Sequence, residues 1–163
     1  MIDGEENPVS HRPDAPSTLD PELQRRTAAD LFNHTWALIE KADRTPRETD
    51  LMIHAAHASR FLWESIGEPV NHARGEWLVS RVYAVAERPE PARHHAQRCL
   101  EICQEHALGG FDLAYAYEAM ARSLGLAGDR EAAGRLARIA ADAGSRIADP
   151  TDRELLEGDL ATL

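Results

Sequence analysis

Apolar residues recur every three to four positions along most of the chain, and no segment alternates apolar and polar residues as a half-buried strand would. Leu23, Ala28, Leu31, Phe32, Thr35, Leu38 and Ile39 form the first such stripe. It predicts a helix that opens on Asp20-Pro21-Glu22, an N-cap followed by proline at the first helical position, and runs to about Ala42. Thr45-Pro46-Arg47-Glu48 carries a capping-box signature and opens a second helix that runs to about Ile66, with Gly67 as its stop. A third is predicted from about Pro69 to Ala86, where Arg88-Pro89-Glu90-Pro91 breaks the chain. The fourth spans about Ala92 to His106 and ends on Gly109-Gly110. The fifth spans about Asp112 to Ala127, and the sixth runs from about Arg130 to Ser145 after Gly128-Asp129. Asp149-Pro150 caps a short last helix ending near Leu160. The expected class is all-α, with long helices joined by short turns and packed as antiparallel hairpins.

The hairpins share a pattern. Trp63, Gly67 and Ala73 place a large residue late in one helix, then a turn, then a small residue early in the next. Tyr83 and Ala92 repeat it, as do Leu124, Gly128 and Ala133. A small residue there lets two helix backbones approach closely. With Cys99 seven residues after Ala92, and Ala140 seven after Ala133, the pattern resembles the tetratricopeptide repeat. The turn position of the first copy is Glu87 rather than Gly, and the usual late Pro is missing from both. Ala92 to Ala133 is 41 residues, against about 34 in the family, so the helices are elongated. The resemblance covers about residues 69–145. The pair 21–66 fits as a degenerate copy, and 150–160 as a capping helix. It implies hairpins stacked as a right-handed superhelix, a single domain over 19–163 and a binding or scaffold function. Residues 1–18, polar and carrying three prolines, are expected to form a disordered tail.

In this family the first helix of each pair lines the groove. The groove positions then fall on Arg74, Trp77 and Arg81, and on Tyr115, Glu118 and Arg122, with Asn33 and His34 from the first helix and His57 and His95 from second helices. Each set of three shares one helical face on spacing alone. Two guanidiniums flanking an indole suit a peptide segment or a small anionic ligand: the forks grip carboxylate or phosphate and the indole stacks. The bland alternative pairs Arg74 and Arg81 with acids such as Glu76, Glu118 or Asp112 and puts Trp77 in the core.

Histidine offers a rival reading. Asp50, His54 and His57 share one face of the second helix, and His54 and His57 with a third ligand such as His34, His95 or Asp50 would make a metal-dependent enzyme or sensor holding a divalent transition metal such as zinc. The spacing lacks the Glu of zinc proteases. The stripe His95, Cys99, Cys103 and His106 spans roughly 16 Å, too far for one ion. A third reading is a structural homodimer through an exposed apolar face.

Net charge is −10, which disfavours nucleic acid and anionic membrane. The acids gather at the two ends, including Asp149, Asp152 and Asp159 at the back, and are expected to be solvated. Cys99 and Cys103, four apart on a helix, have Cβ atoms roughly 5–6 Å apart, whereas a disulfide wants about 3.5–4.5 Å. Reduced thiols, the absence of an apolar run of about 20 residues and an N-terminus unlike a secretory signal point to the cytoplasm. No phosphate loop or Gly-x-Ser-x-Gly motif occurs.

Overall fold

The computed structural model describes residues 20–163, so the expected tail over 1–18 lies outside the described residues. Seven helices follow one another, with no strand among the described residues: α1 (Pro21–Ile39), α2 (Pro46–Trp63), α3 (Pro69–Val85), α4 (Pro89–Glu105), α5 (Gly110–Leu126), α6 (Arg130–Gly144) and α7 (Pro150–Leu160).

Helix starts lie where the cap chemistry places them. Asp20 Oδ1 accepts from the Glu22 and Leu23 amides at 3.0 Å each. Thr45 and Glu48 close the capping box, at 3.3 Å one way and 2.9 Å the other. Asp129 accepts from the Ala132 amide, and Asp149 from those of Thr151 and Asp152. The expected break at Pro89 and Pro91 is a helix start instead. Both prolines sit in the first turn of α4, where no intrahelical N–H is needed, so α4 begins three residues before Ala92.

Helix ends differ more. Three of them close with a residue in the left-handed region: Glu87 (φ 56°), Ala107 (φ 52°) and Gly128 (φ 91°). In each, the next amide reaches five residues back: Arg88 to the Tyr83 carbonyl, Leu108 to Cys103 and Asp129 to Leu124, all at 2.9 Å. This is the Schellman arrangement, which satisfies carbonyls the helix leaves open. Ala107 therefore ends α4 before Gly109-Gly110 is reached, and that pair opens α5. Helices α1 and α2 each stop about three residues short of the expected ends.

Successive helices run antiparallel. Gln24, at the start of α1, donates to the Leu62 carbonyl near the end of α2, and Ser59 donates to the Ala28 carbonyl. Arg60 and His57 of α2 meet Glu76 and Tyr83 of α3. Ser80 of α3 donates to the Ala92 carbonyl of α4 at 2.8 Å, inside the protein. Ala92, Cys99, Ala133 and Ala140, the small positions of the repeat pattern, are all buried. Their short side chains let α3 and α4, and α5 and α6, lie close. One core cluster joins α1, α2 and α3 around Met52, Leu78 and Val82. A second joins α3, α4 and α5 around Ala73, Cys103 and Ala116. The third joins α5, α6 and α7 around Ala114, Tyr115 and Leu156. No helix among the described residues is long and apolar enough to cross a membrane.

Candidate functional site

Helices α3 and α5 lie side by side and parallel. Arg74 meets Asp112, Trp77 meets Tyr115, and Arg81 meets Glu118, so position rises together along both helices. The i, i+3, i+7 spacing within each helix turns these side chains to one face. The structure thus brings Arg74, Trp77, Arg81, Tyr115, Glu118 and Arg122 onto a single surface. It divides them into an aromatic hollow and an ionic cluster.

The hollow has a volume of about 460 Å³ and is walled by Phe32 and Trp36 of α1, Trp77 of α3, Phe111 and Tyr115 of α5, and Asp152 and Leu155 of α7. Four of its rings form a continuous row. Trp36 and Trp77 are 5.5 Å apart between centroids, Trp77 and Tyr115 are 5.3 Å apart, and Tyr115 and Phe111 are 4.6 Å apart. The tilted and edge-on geometries are those aromatic pairs prefer. At one edge Arg74 grips Asp112 with two hydrogen bonds, 2.7 and 3.3 Å long. Asp152 faces the same space. The Trp77 indole nitrogen is buried and has no hydrogen-bond partner among the described residues. The contribution of α1 is Phe32 and Trp36 rather than the expected Asn33 and His34, which are exposed.

One turn further along lies the ionic cluster. Glu118 is 0% exposed. Its Oε1 takes Arg122 at 2.6 Å and Arg81 at 3.3 Å, and its Oε2 has no partner among the described residues. Burial pushes the Glu118 carboxyl above its ordinary range, against the opposing pull of Arg122 and Arg81. A residue so enclosed touches no ligand, and its part is to hold two guanidiniums in place. Asp159 of α7 completes the cluster. Arg81 donates to Asp159 Oδ1 at 2.6 Å and Tyr115 to Oδ2 at 3.0 Å, while Arg122 donates to the Asp159 carbonyl at 3.0 Å. Burial, and after it the Asp159 charge, raise the Tyr115 phenol, so it keeps its proton and donates. Asp149, Asp152 and Asp159 were expected to be solvated. Asp149 is exposed and caps α7 as expected, whereas Asp152 lines the hollow and Asp159 is held by three side chains.

No known family, curated protein or solved structure matches the chain. Its chemistry rests on its own geometry.

His57 and His95 are brought together elsewhere. Both contact the side of α3 that carries Glu76 and Tyr83, roughly 140° around the helix from the Arg74/Trp77/Arg81 stripe. His57 Nε2 and the Tyr83 hydroxyl are 3.0 Å apart, and His95 Nδ1 and Glu76 Oε2 are 2.7 Å apart. The His95 ring stacks on Tyr83, with centroids 5.9 Å apart, and meets His57 edge-on at 5.3 Å. Arg60 holds the other Glu76 oxygen at 2.9 Å. Gly75 makes room for it, since a Cβ there would lie 2.5 Å from Arg60 Cδ. His34, Asp50, His54 and His106 are exposed. Among the described residues no group of three His, Cys, Asp or Glu side chains is arranged to hold a metal ion. Cys99 and Cys103 are free and buried. The Cys103 contact and burial raise the Cys99 thiol, which stays protonated.

The site residues that sequence reasoning missed are Phe32, Trp36, Phe111, Asp152, Leu155 and Asp159. Asp112 is among the acids expected to pair with Arg74 and Arg81, and it holds Arg74. Asp159 lies 78 positions from Arg81, and no local pattern links them.

Proposed function

We propose that the chain is a non-enzymatic binding module of tetratricopeptide-like type. Its α1–α3–α5 face takes a peptide segment by receiving a large apolar side chain between Trp36, Trp77, Phe111 and Tyr115. The aromatic row walling a hollow of about 460 Å³ carries this reading. That size falls within the roughly 300–1,000 Å³ of ligand pockets, and aromatic walls with a few polar groups at the rim are their usual lining. A small anionic ligand fits less well, because the Arg74, Arg81 and Arg122 guanidiniums already hold carboxylates of the chain. Support for the repeat type comes from the parallel first helices α3 and α5, the buried small residues Ala92, Cys99, Ala133 and Ala140, and the left-handed turns at Glu87 and Gly128. Two buried free thiols favour a reducing compartment such as the cytoplasm.

Selection from a random peptide library against the full chain tests the reading. Enriched peptides should share a large apolar or aromatic residue and should shift the indole N–H resonances of Trp36 and Trp77. Leu155 is 57% exposed at the edge of the hollow, so Leu155→Trp fills the space without disturbing the core. It should weaken these peptides by about tenfold or more, some 1.4 kcal/mol, with no fall in Tm. Peptides that bind equally well to Leu155→Trp would refute the proposed site.

A further inference from the structure

We propose that α7 is an internal occupant of the groove, and that the partner segment is an acidic, leucine-bearing helix that takes its place. This deepens the peptide-binding reading and rests on it.

The seat around Asp159 is built for a carboxylate. Two guanidinium groups and a phenol converge on one residue, with Arg81 at 2.6 Å, Tyr115 at 3.0 Å and Arg122 at 3.0 Å from its carbonyl. Glu118 neutralises one of the two arginines from beneath. The second positive charge is balanced only by the carboxylate that α7 supplies. With α7 lifted, a half-buried site would hold two cations against one anion and a phenol without its acceptor, which favours another carboxylate in the same place.

Helix α7 is also the least anchored element. It buries one residue, Leu156, whereas every other helix buries at least four. Elements with few buried contacts open below the cost of global unfolding. Leu156 and Asp159 are three residues apart on one face. Leu156 packs beside Tyr115 and Asp159 takes its hydroxyl, so a foreign helix with a Leu and an acid at that spacing fits the same two positions. Beyond the seat, a second hollow of about 370 Å³ between α3 and α5 counts Thr162 and Leu163 among its lining residues, so the segment after α7 lies along the same face. Residues 149–163 carry five acids and one arginine, which matches the charge of the seat.

The probe is a fluorescent peptide of this chain's own residues 149–163, added in trans to the full-length protein. Leu156 is the one residue that α7 buries, so Leu156→Ser in the full-length chain loosens α7 and leaves Gly144 and the rest of the seat unaltered for the probe's own leucine. Hydrogen exchange over residues 150–163 should accelerate in that variant while α1–α6 stay protected. The probe should then bind about tenfold or more tighter than to the unaltered chain. The probe carrying Asp159→Asn, and one of scrambled sequence, should lose that gain. If Leu156→Ser does not fold, Asp159→Ala in the full chain empties the seat and should give the same increase. Equal binding to the unaltered chain and to the folded variants, or equal binding of the scrambled probe, would overturn the proposal. Library peptides that still bind the aromatic hollow in that case would leave the peptide-binding reading standing.

Discussion

Glu118 is the residue on which the face depends most, although it reaches no solvent. A carboxylate with no exposure is tolerated here because Arg81 and Arg122 stand over it with 15% and 18% of their side chains exposed. Removing it would leave two guanidiniums and a phenol around Asp159 alone, and breaking a buried pair costs far more than the pair contributes. Glu118→Ala should therefore destabilise the protein by about 2–4 kcal/mol, the partial hydration of the arginines keeping it from the top of the range for buried pairs. For a chain of this size that is a fall in Tm of roughly 5–15 °C, read by circular dichroism. A loss under about 1 kcal/mol would mean that the cluster is solvated. The sequence placed Glu118 on the right face but could not tell a lining residue from a supporting one. Spacing sets direction around a helix, whereas burial depends on what α7 brings to cover it.

At the level of elements, the starts that carry a capping side chain with a proline were legible, and the ends of α3 to α7 were read to within a residue, whereas α4 and α5 begin earlier and α1 and α2 end earlier than expected. Asp20-Pro21, Thr45-Pro46 and Asp149-Pro150 announce their helices because the cap side chain and the proline both act within one turn. The ends of α3 and α4 carry no such mark. Glu87 and Ala107 occupy a left-handed conformation that glycine adopts readily and an L side chain does not, and they are held there by the hydrogen bonds of the turn. Gly128 fills the equivalent position after α5, which is why that boundary could be read correctly. Both side chains are exposed, so replacing them disturbs no packing. Glu87→Gly and Ala107→Gly should each stabilise the fold by about 0.5–1 kcal/mol, the relief of strain exceeding the entropy that glycine adds to the unfolded chain. In thermal unfolding this is a rise of roughly 1–4 °C for each substitution. A fall in Tm would show that the turns carry no strain.

Across the whole molecule, the first two hairpins are joined on the side away from the aromatic face by Arg60 and His57 of α2, Glu76 and Tyr83 of α3, and His95 of α4. The histidines were legible as a rich supply of chemistry. Their actual neighbours were not, because each contact crosses between helices far apart in sequence. This junction makes stability depend on pH. Burial lowers the His57 pKa from its ordinary value of 6.5, and the nearby His95 and His54 add to that effect against the attraction of Glu76. As pH falls through about 6.5, the unfolded chain takes up a proton that folded His57 refuses, so stability declines until His57 is protonated in the folded state as well. Burial pushes Glu76 up, but the His95 hydrogen bond and Arg60 together outweigh it and leave the carboxyl below its ordinary 4.5. Its contribution is therefore present above pH 4.5 and is lost on further acidification. Tm should be flat between about pH 7 and 8, fall as pH drops from about 6.5, and fall again below 4.5. His57→Gln keeps a polar partner for the Tyr83 hydroxyl without the titration, so it should remove the first decline and leave the second. A profile unchanged by that substitution would place the first titration elsewhere.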